Sequence, residues 1–166
     1  SLIADNLTEN PTSTISAPSG TVEIAPFSTT VTMHLGGASQ LAVDTTLLGK
    51  ISTGTLVVGR YTDVNNGGTS SITAAGISID GGVDLTGKAG TLLMATLGSI
   101  AEPTGSLVVG TLTGTAGASG TGAVALNQTT NNIGTLAAFA VTGGDFSLRN
   151  LDAGTLSVAG TVSADN

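Results

Sequence analysis

The chain has no cysteine and no tryptophan, and its 166 residues include only three phenylalanines and one tyrosine. Without cysteine there are no disulfides, no thiolate metal sites and no cysteine nucleophile. Charged residues make up 9% of the chain, against about a quarter in an ordinary globular domain. Lys50, Arg60, Lys88 and Arg149 are the only Lys and Arg residues, and the net charge is −7. No basic patch can be assembled from them, which argues against nucleic acid or an anionic membrane surface as a partner. The single histidine, His34, cannot build a multi-histidine metal site. No apolar run approaches the roughly 18 residues needed to span a bilayer, so no membrane insertion is expected. The chain opens at Ser1 with neither Met nor a signal peptide, and is expected to be a mature segment or an excised piece.

The residues present instead are small and β-branched. Hydrophobic residues make up 40% and mean hydropathy is +0.39, too high for a disordered chain. "TGTLVVGR" at 53–60 is nearly repeated as "TGSLVVGT" at 104–111. Gly, then Thr or Ser, then an aliphatic residue begins at Gly20, Gly54, Gly90, Gly105, Gly110, Gly134, Gly154 and Gly160. Taking Gly90, Gly110, Gly134 and Gly154 gives steps of 20, 24 and 20. The earlier gaps, 54−20=34 and 90−54=36, read as doubled steps of about 17 to 18. A unit of about 20 residues is too short for a helix pair and suits one turn of a solenoid.

Period-2 alternation recurs in short bursts, at Val22/Ile24, Val31/Met33, Ile77/Ile79, Val83/Leu85, Leu107/Val109, Val124/Leu126, Phe146/Leu148 and Leu156/Val158, and predicts strands of about 3 to 6 residues. Gly36-Gly37, Asn65-Asn66-Gly67-Gly68, Gly81-Gly82 and Gly143-Gly144 supply turns. The best helical candidate is "NIGTLAAFAV" at 132–141, weakened by Gly134 and its β-branched neighbours. The expected fold is all-β: a parallel β-helix, or β-solenoid, with turns of about 17–24 residues, aliphatic ladders filling a narrow lumen. An antiparallel β-sandwich is the alternative, but its core normally holds several large rings. Residues 1–14 are expected to be an irregular N-terminal segment or the continuation of a preceding turn, and 15–166 a solenoid segment of a longer chain.

The runs "ISAPSGTVEIAPF" (15–27), "LLGKISTGTLVVGR" (47–60), "GSIAEPTGSLVVGTLTGTA" (98–116) and "NNIGTLAAFAVTGGDFSLRNLDAGTLSVAGTVSA" (131–164) resemble the repetitive region of filamentous-haemagglutinin-like exoproteins of Gram-negative bacteria, of the two-partner-secretion type. The likeness lies in phrase order and spacing. It implies the right-handed hand of the β-helix, export across the outer membrane by a dedicated transporter, and a place on the cell surface or in the extracellular matrix.

Candidate sites are sparse. Nothing in the spacing around His34 supports a Ser-His-Asp arrangement, and a strand-end or surface histidine is expected. Asp80 and Asp84 in "IDGGVDL" flank a Gly-Gly turn and are weighed as a carboxylate pair for glycoside hydrolysis, with two solvated turn residues preferred. Asp63, Asn65 and Asn66 in "DVNNGG" lack the ligand register and terminal Glu of a calcium loop and are read as a turn. Thr30/Thr32 and Thr111/Thr113 place hydroxyls on one strand face. Because such pairs do not recur once per turn, they are read as ordinary β-propensity and not as an ice-binding array. Asn6 and Asn127 head sequons and are candidate glycosylation sites. Leu156 and Val158, in the last predicted strand, are candidates for end-to-end stacking, since an uncapped solenoid end exposes unpaired backbone.

The function these features predict is non-enzymatic, with no catalytic residues, cofactor or metal: an extracellular structural or adhesive β-solenoid, a stiff spacer or fibre segment. A self-assembling filament or matrix protein and a carbohydrate-active enzyme on the same scaffold are the alternatives. Expected partners are adjoining turns of the parent chain, other copies end to end, and host or matrix carbohydrate or protein.

Overall fold

A computed structural model describes residues 1–39, 41–151 and 154–165. In chain order the strands are β1 (Leu2–Ile3), β2 (Ile15–Ala25), β3 (Thr32–Leu35), β4 (Ala42–Val43), β5 (Ile51–Val58), β6 (Arg60–Asp63), β7 (Thr69–Ile72), β8 (Gly76–Ile79), β9 (Gly82–Asp84), β10 (Ala89–Ala95), β11 (Ile100–Ala101), β12 (Ser106–Ala116), β13 (Val124–Leu126), β14 (Asn132–Thr142), β15 (Phe146–Leu148), β16 (Ser157–Val158) and β17 (Val162–Asp165). One α-helical turn, α1, spans Thr45–Leu48. The chain is all-β, and its two large sheets are parallel. The long sheet runs β1-β2-β5-β10-β12-β14-β16, with β9 on β12 and β17 on β14; the second runs β15-β13-β11-β8-β3-β4.

From β2 onward the chain alternates between these sheets, laying each visit beside the last. The alternation sets the register. Thr21 pairs with Thr55, Thr55 with Thr91, Thr91 with Thr111, Thr111 with Thr135 and Thr135 with Ser157. One residue on, Val22, Leu56, Leu92, Leu112 and Leu136 form a buried column. Since side chains alternate across a strand, this register keeps hydroxyls on one face and aliphatics on the other. Met33, Ile77, Ile100 and Val124 form the corresponding buried column of the second sheet, continued by the half-buried Phe146. Both columns belong to one hydrophobic core. Each fully buried Leu or Ile contributes on the order of 1.5–3 kcal/mol.

The recurrent glycine ahead of the threonine now has a steric cause. A Cβ on Gly110 would lie 2.9 Å from the Gly90 carbonyl oxygen, and one on Gly134 equally close to that of Gly110. At these two positions successive circuits approach too closely for a side chain, whereas a Cβ on Gly90 would sit 3.5 Å from the Gly54 oxygen, an ordinary contact. At Gly114 an added Cβ would clash with the Met94 carbonyl oxygen of the preceding circuit and would also meet the Phe139 ring at 2.8 Å. The missing side chain admits Phe139, which packs on Phe146 with ring centroids 5.2 Å apart. The register slips by one residue between Leu112/Leu136 and Gly114/Phe139, a bulge that sets both Ala137 and Ala138 opposite Thr113.

Two expectations are corrected by the register. The two long gaps, Gly20 to Gly54 and Gly54 to Gly90, are single circuits and not doubled steps, because Thr21 and Thr55, and Thr55 and Thr91, are direct partners. The first circuit is lengthened by β4 and α1, whose Asp44 side chain accepts from the Leu47 N–H and whose Leu47 and Leu48 are buried. The second carries the antiparallel β6–β7 hairpin. Gly154 falls outside the glycine column, since Thr135 pairs with Ser157 and not with Thr155. The helical candidate at 132–141 lies within β14, where neighbours on both sides supply the pairing that local propensity does not.

The two ends differ. At the N-terminal end, Leu2 pairs with Ile24 and Ile3 with Ala25, Leu2 and Leu7 pack against the core, and Lys50 bonds Glu9 at 3.0 Å. At the other end Leu156 packs partly against the core, whereas Val158, in register with Leu136, is 64% exposed.

Leu107 is fully buried and Thr111 lies on the outer column. Leu107→Asp should therefore cost several kcal/mol, roughly 3 or more, by placing a charge among aliphatic columns, and Thr111→Asp about 1 kcal/mol or less. Thermal melts of the two variants beside the parent chain check this; equal melting temperatures for parent and Leu107→Asp would contradict the inward assignment.

Candidate functional site

A polar cluster forms where β3 meets β8. His34 lies directly opposite Ser78 in the parallel ladder, and Asp80 follows at the end of β8. The His34 Nδ1–H donates to Asp80 Oδ2, and the Ser78 hydroxyl donates to Asp80 Oδ1 at 2.6 Å. Thr104 Oγ1 donates to the Asp80 carbonyl at 2.9 Å, tying in the next circuit. Serine, histidine and aspartate thus do meet, His34 from one circuit and Ser78 and Asp80 from the next, which local spacing around His34 had no means of showing. Their connectivity is not that of a nucleophile relay, in which the hydroxyl gives its proton to the imidazole. Here Ser78 and His34 both donate to one carboxylate. Burial pushes the Asp80 carboxyl up, but the bonds from Ser78 and His34 and the attraction of His34 outweigh it, and its pKa lies below the ordinary value.

Asp84 is engaged elsewhere. It closes β9, accepts from the Thr86 N–H at 2.9 Å, and is held below the usual carboxylate range chiefly by that bond. Lys88 donates to the Asp84 carbonyl at 2.9 Å. The two aspartates therefore belong to different sheets and different hydrogen-bond sets.

Two further carboxylates, to which no sequence motif pointed, are buried. Glu23, on the outward face of β2, accepts from the Thr62 N–H and hydroxyl, both at 2.8 Å, and from the Ser1 hydroxyl. Burial raises its pKa, the three hydrogen bonds lower it further, and the net shift is down. This carboxylate pins the β6–β7 hairpin to the long sheet. Glu102 Oε2 accepts from the Asn131 side chain at 2.8 Å and the Gln128 N–H at 3.0 Å, while Asn131 Oδ1 accepts from the Leu107 N–H at 2.7 Å. One circuit later Asn150 repeats the device on Ile133, accepting from its N–H and donating to its carbonyl. A lone Glu in "IAEPTG" and Asn residues just before a strand were the available signals.

Asp63 accepts from the Asn65 N–H at 2.9 Å and Asn66 accepts from Thr69 through its carbonyl, so "DVNNGG" makes the hairpin turn. Among the described residues no three His, Cys, Asp or Glu side chains are grouped as metal ligands. Of the pair Thr111/Thr113, one member does recur, in the column through Thr111, but at the Thr113 position the preceding circuits carry Leu93, Val57 and Glu23. A single hydroxyl row results, bordered by unlike side chains. Asn6 and Asn127 are both exposed, and Asn127 Oδ1 accepts from Ser147.

No protein-family model matches this chain, and no curated protein or solved structure matches it.

Because the folded-state pKa of Asp80 is depressed, its contribution to stability is present above the unfolded value, about 3.9, and is lost as pH falls through the lower folded value. Melting temperature should drop on acidification through that window, and the drop should be shallower in Asp80→Asn. Melts between pH 6 and pH 2 on both proteins check the sign.

Proposed function

We propose that the chain is a non-enzymatic extracellular structural or adhesive segment, built as a right-handed parallel β-solenoid and serving as a stiff spacer or fibre segment of an adhesin-like exoprotein. The observation that carries this reading is the unbroken register of the threonine and leucine columns from residue 21 to residue 136. A stack in which each circuit hydrogen-bonds both neighbours resists bending and stretching along its axis, and each circuit is covered by the next. Absence of cysteine suits a chain threaded unfolded through an outer-membrane pore, where disulfides formed earlier in the periplasm would obstruct passage.

The likeness to filamentous-haemagglutinin-like repeats adds the hand of the coil, the secretion route and a Gram-negative surface or matrix location to this proposal. Its natural partners are adjoining turns of the parent chain or another copy at the open end. The exposed Val158 and the half-buried Leu156 and Val162 support association there. A carbohydrate-active enzyme is the weaker alternative, since Asp80 and Asp84 are committed to separate local partners.

Sedimentation and electron microscopy of the purified chain test the proposal. Val158→Lys should reduce end-to-end association, whereas Leu93→Lys, on the outward face of mid-stack β10, should leave it intact. A polysaccharide-cleaving activity abolished by combined Asp80→Asn and Asp84→Asn would replace this function with the enzymatic one.

A further inference from the structure

Two of the four aromatic rings, Phe139 and Phe146, pair in the core. The other two, Phe27 and Tyr61, line a single groove of about 460 Å³ together with Ile3 and Val64. Phe27 is 77% exposed, Val64 80% and Ile3 41%, three of the five large hydrophobics exposed among the described residues. Concentrating apolar surface in water at one place brings no folding stability and marks a contact surface. The groove walls are held from beneath. The Glu23 carboxylate fixes Thr62, next to Tyr61, and the Asp5 carboxylate accepts from both the N–H and hydroxyl of Ser28, next to Phe27. Asp63 and Asn65, on the hairpin turn, add an acid and an amide to the same lining.

We propose that this groove between the β6–β7 hairpin and the loop after β2 binds an uncharged oligosaccharide. A pyranose presents C–H groups on its faces and hydroxyls around its edge. Exposed ring and aliphatic surfaces take the first, and carboxylate and amide oxygens and N–H groups take the second. Charge selects neutral sugar over acidic: Asp63 lines the groove and the Glu23 and Asp5 carboxylates hold its walls from beneath, three acids against the one amino group of Ser1. No Lys or Arg side chain is in the lining, while Arg60 lines a separate groove with Leu93 and Thr113. A second copy is a poor occupant, because a stable protein interface buries at least about 1,000 Å², more than four apolar side chains around one groove provide. Walls fixed before binding lower the ordering cost. The groove rests on the adhesive side of the proposed function; without it, the stiff-spacer role would stand unaltered.

Tyr61 is the only tyrosine in a chain with no tryptophan, so intrinsic emission reports on the groove directly. The purified chain is titrated with hexasaccharides of β-1,4-linked glucose, mannose and N-acetylglucosamine, and with oligogalacturonate. At least one neutral hexasaccharide should give a saturable change, weakened about tenfold or more in Phe27→Ala and unchanged in Asn127→Ala, with melting temperatures of both variants close to the parent. Absence of any saturable response to the three neutral sugars would overturn the proposal, as would tighter binding of oligogalacturonate. An emission change that depends on protein concentration alone and vanishes in Phe27→Ala would assign the groove to self-association instead.

Discussion

In-register parallel pairing between successive circuits is the constraint on which everything else depends. It satisfies the backbone of each strand through its neighbours, and because side chains alternate, it decides which residues are buried. A slip of one residue would carry Leu56, Leu92 and Leu112 to the surface and bring Thr55, Thr91 and Thr111 inside. The close approach at Gly110 and Gly134 follows from the same stacking, since circuits about 4.8 Å apart leave no space there for a Cβ between one carbonyl and the next. The register is thus locked twice, by apolar burial and by steric exclusion.

Polar groups are arranged around that stack as fasteners. Asn131 and Asn150 satisfy backbone groups where the chain turns into the long sheet. Asp80 joins β3 to β8 through His34 and Ser78 and reaches the next circuit through Thr104. Glu23 draws an inserted hairpin onto an outer face. In each case an acid or amide holds together segments that are distant along the chain. Such side chains resemble catalytic or ligand-binding groups by type, yet their partners are backbone groups, neighbouring hydroxyls and, for Asp80, the His34 imidazole.

The insertions give the stack its individuality. The circuits are shortest from Thr91 to Ser157. The longer circuits add α1 and the β6–β7 hairpin. The hairpin forms one wall of the aromatic groove, so the departure from the regular repeat is also where the surface acquires a distinct chemistry. Under the proposed function, rigidity lies in the repeated circuits and binding in the inserted loop, in separate residues.

Composition and periodicity by themselves determined the all-β character, the inward faces at Ile77/Ile79, Leu107/Val109 and Val124/Leu126, and the glycine–threonine repeat, because a period of two acts locally on every strand. The expected strand length of about 3 to 6 residues was too short for the long sheet, where β2, β12 and β14 each run 11 residues because pairing on both sides carries them through their glycines. Only the tertiary structure decided which copies are neighbours. That Thr21 pairs directly with Thr55 depends on α1 and β4 folding out as an insertion, and no local rule distinguishes an insertion from an extra turn. The same holds for the clusters: His34, Ser78 and Asp80 come together, and Phe27 comes to share a groove with Tyr61, through pairing of strands distant in sequence. Side-chain type is written locally, whereas side-chain company is set by the register of the stack.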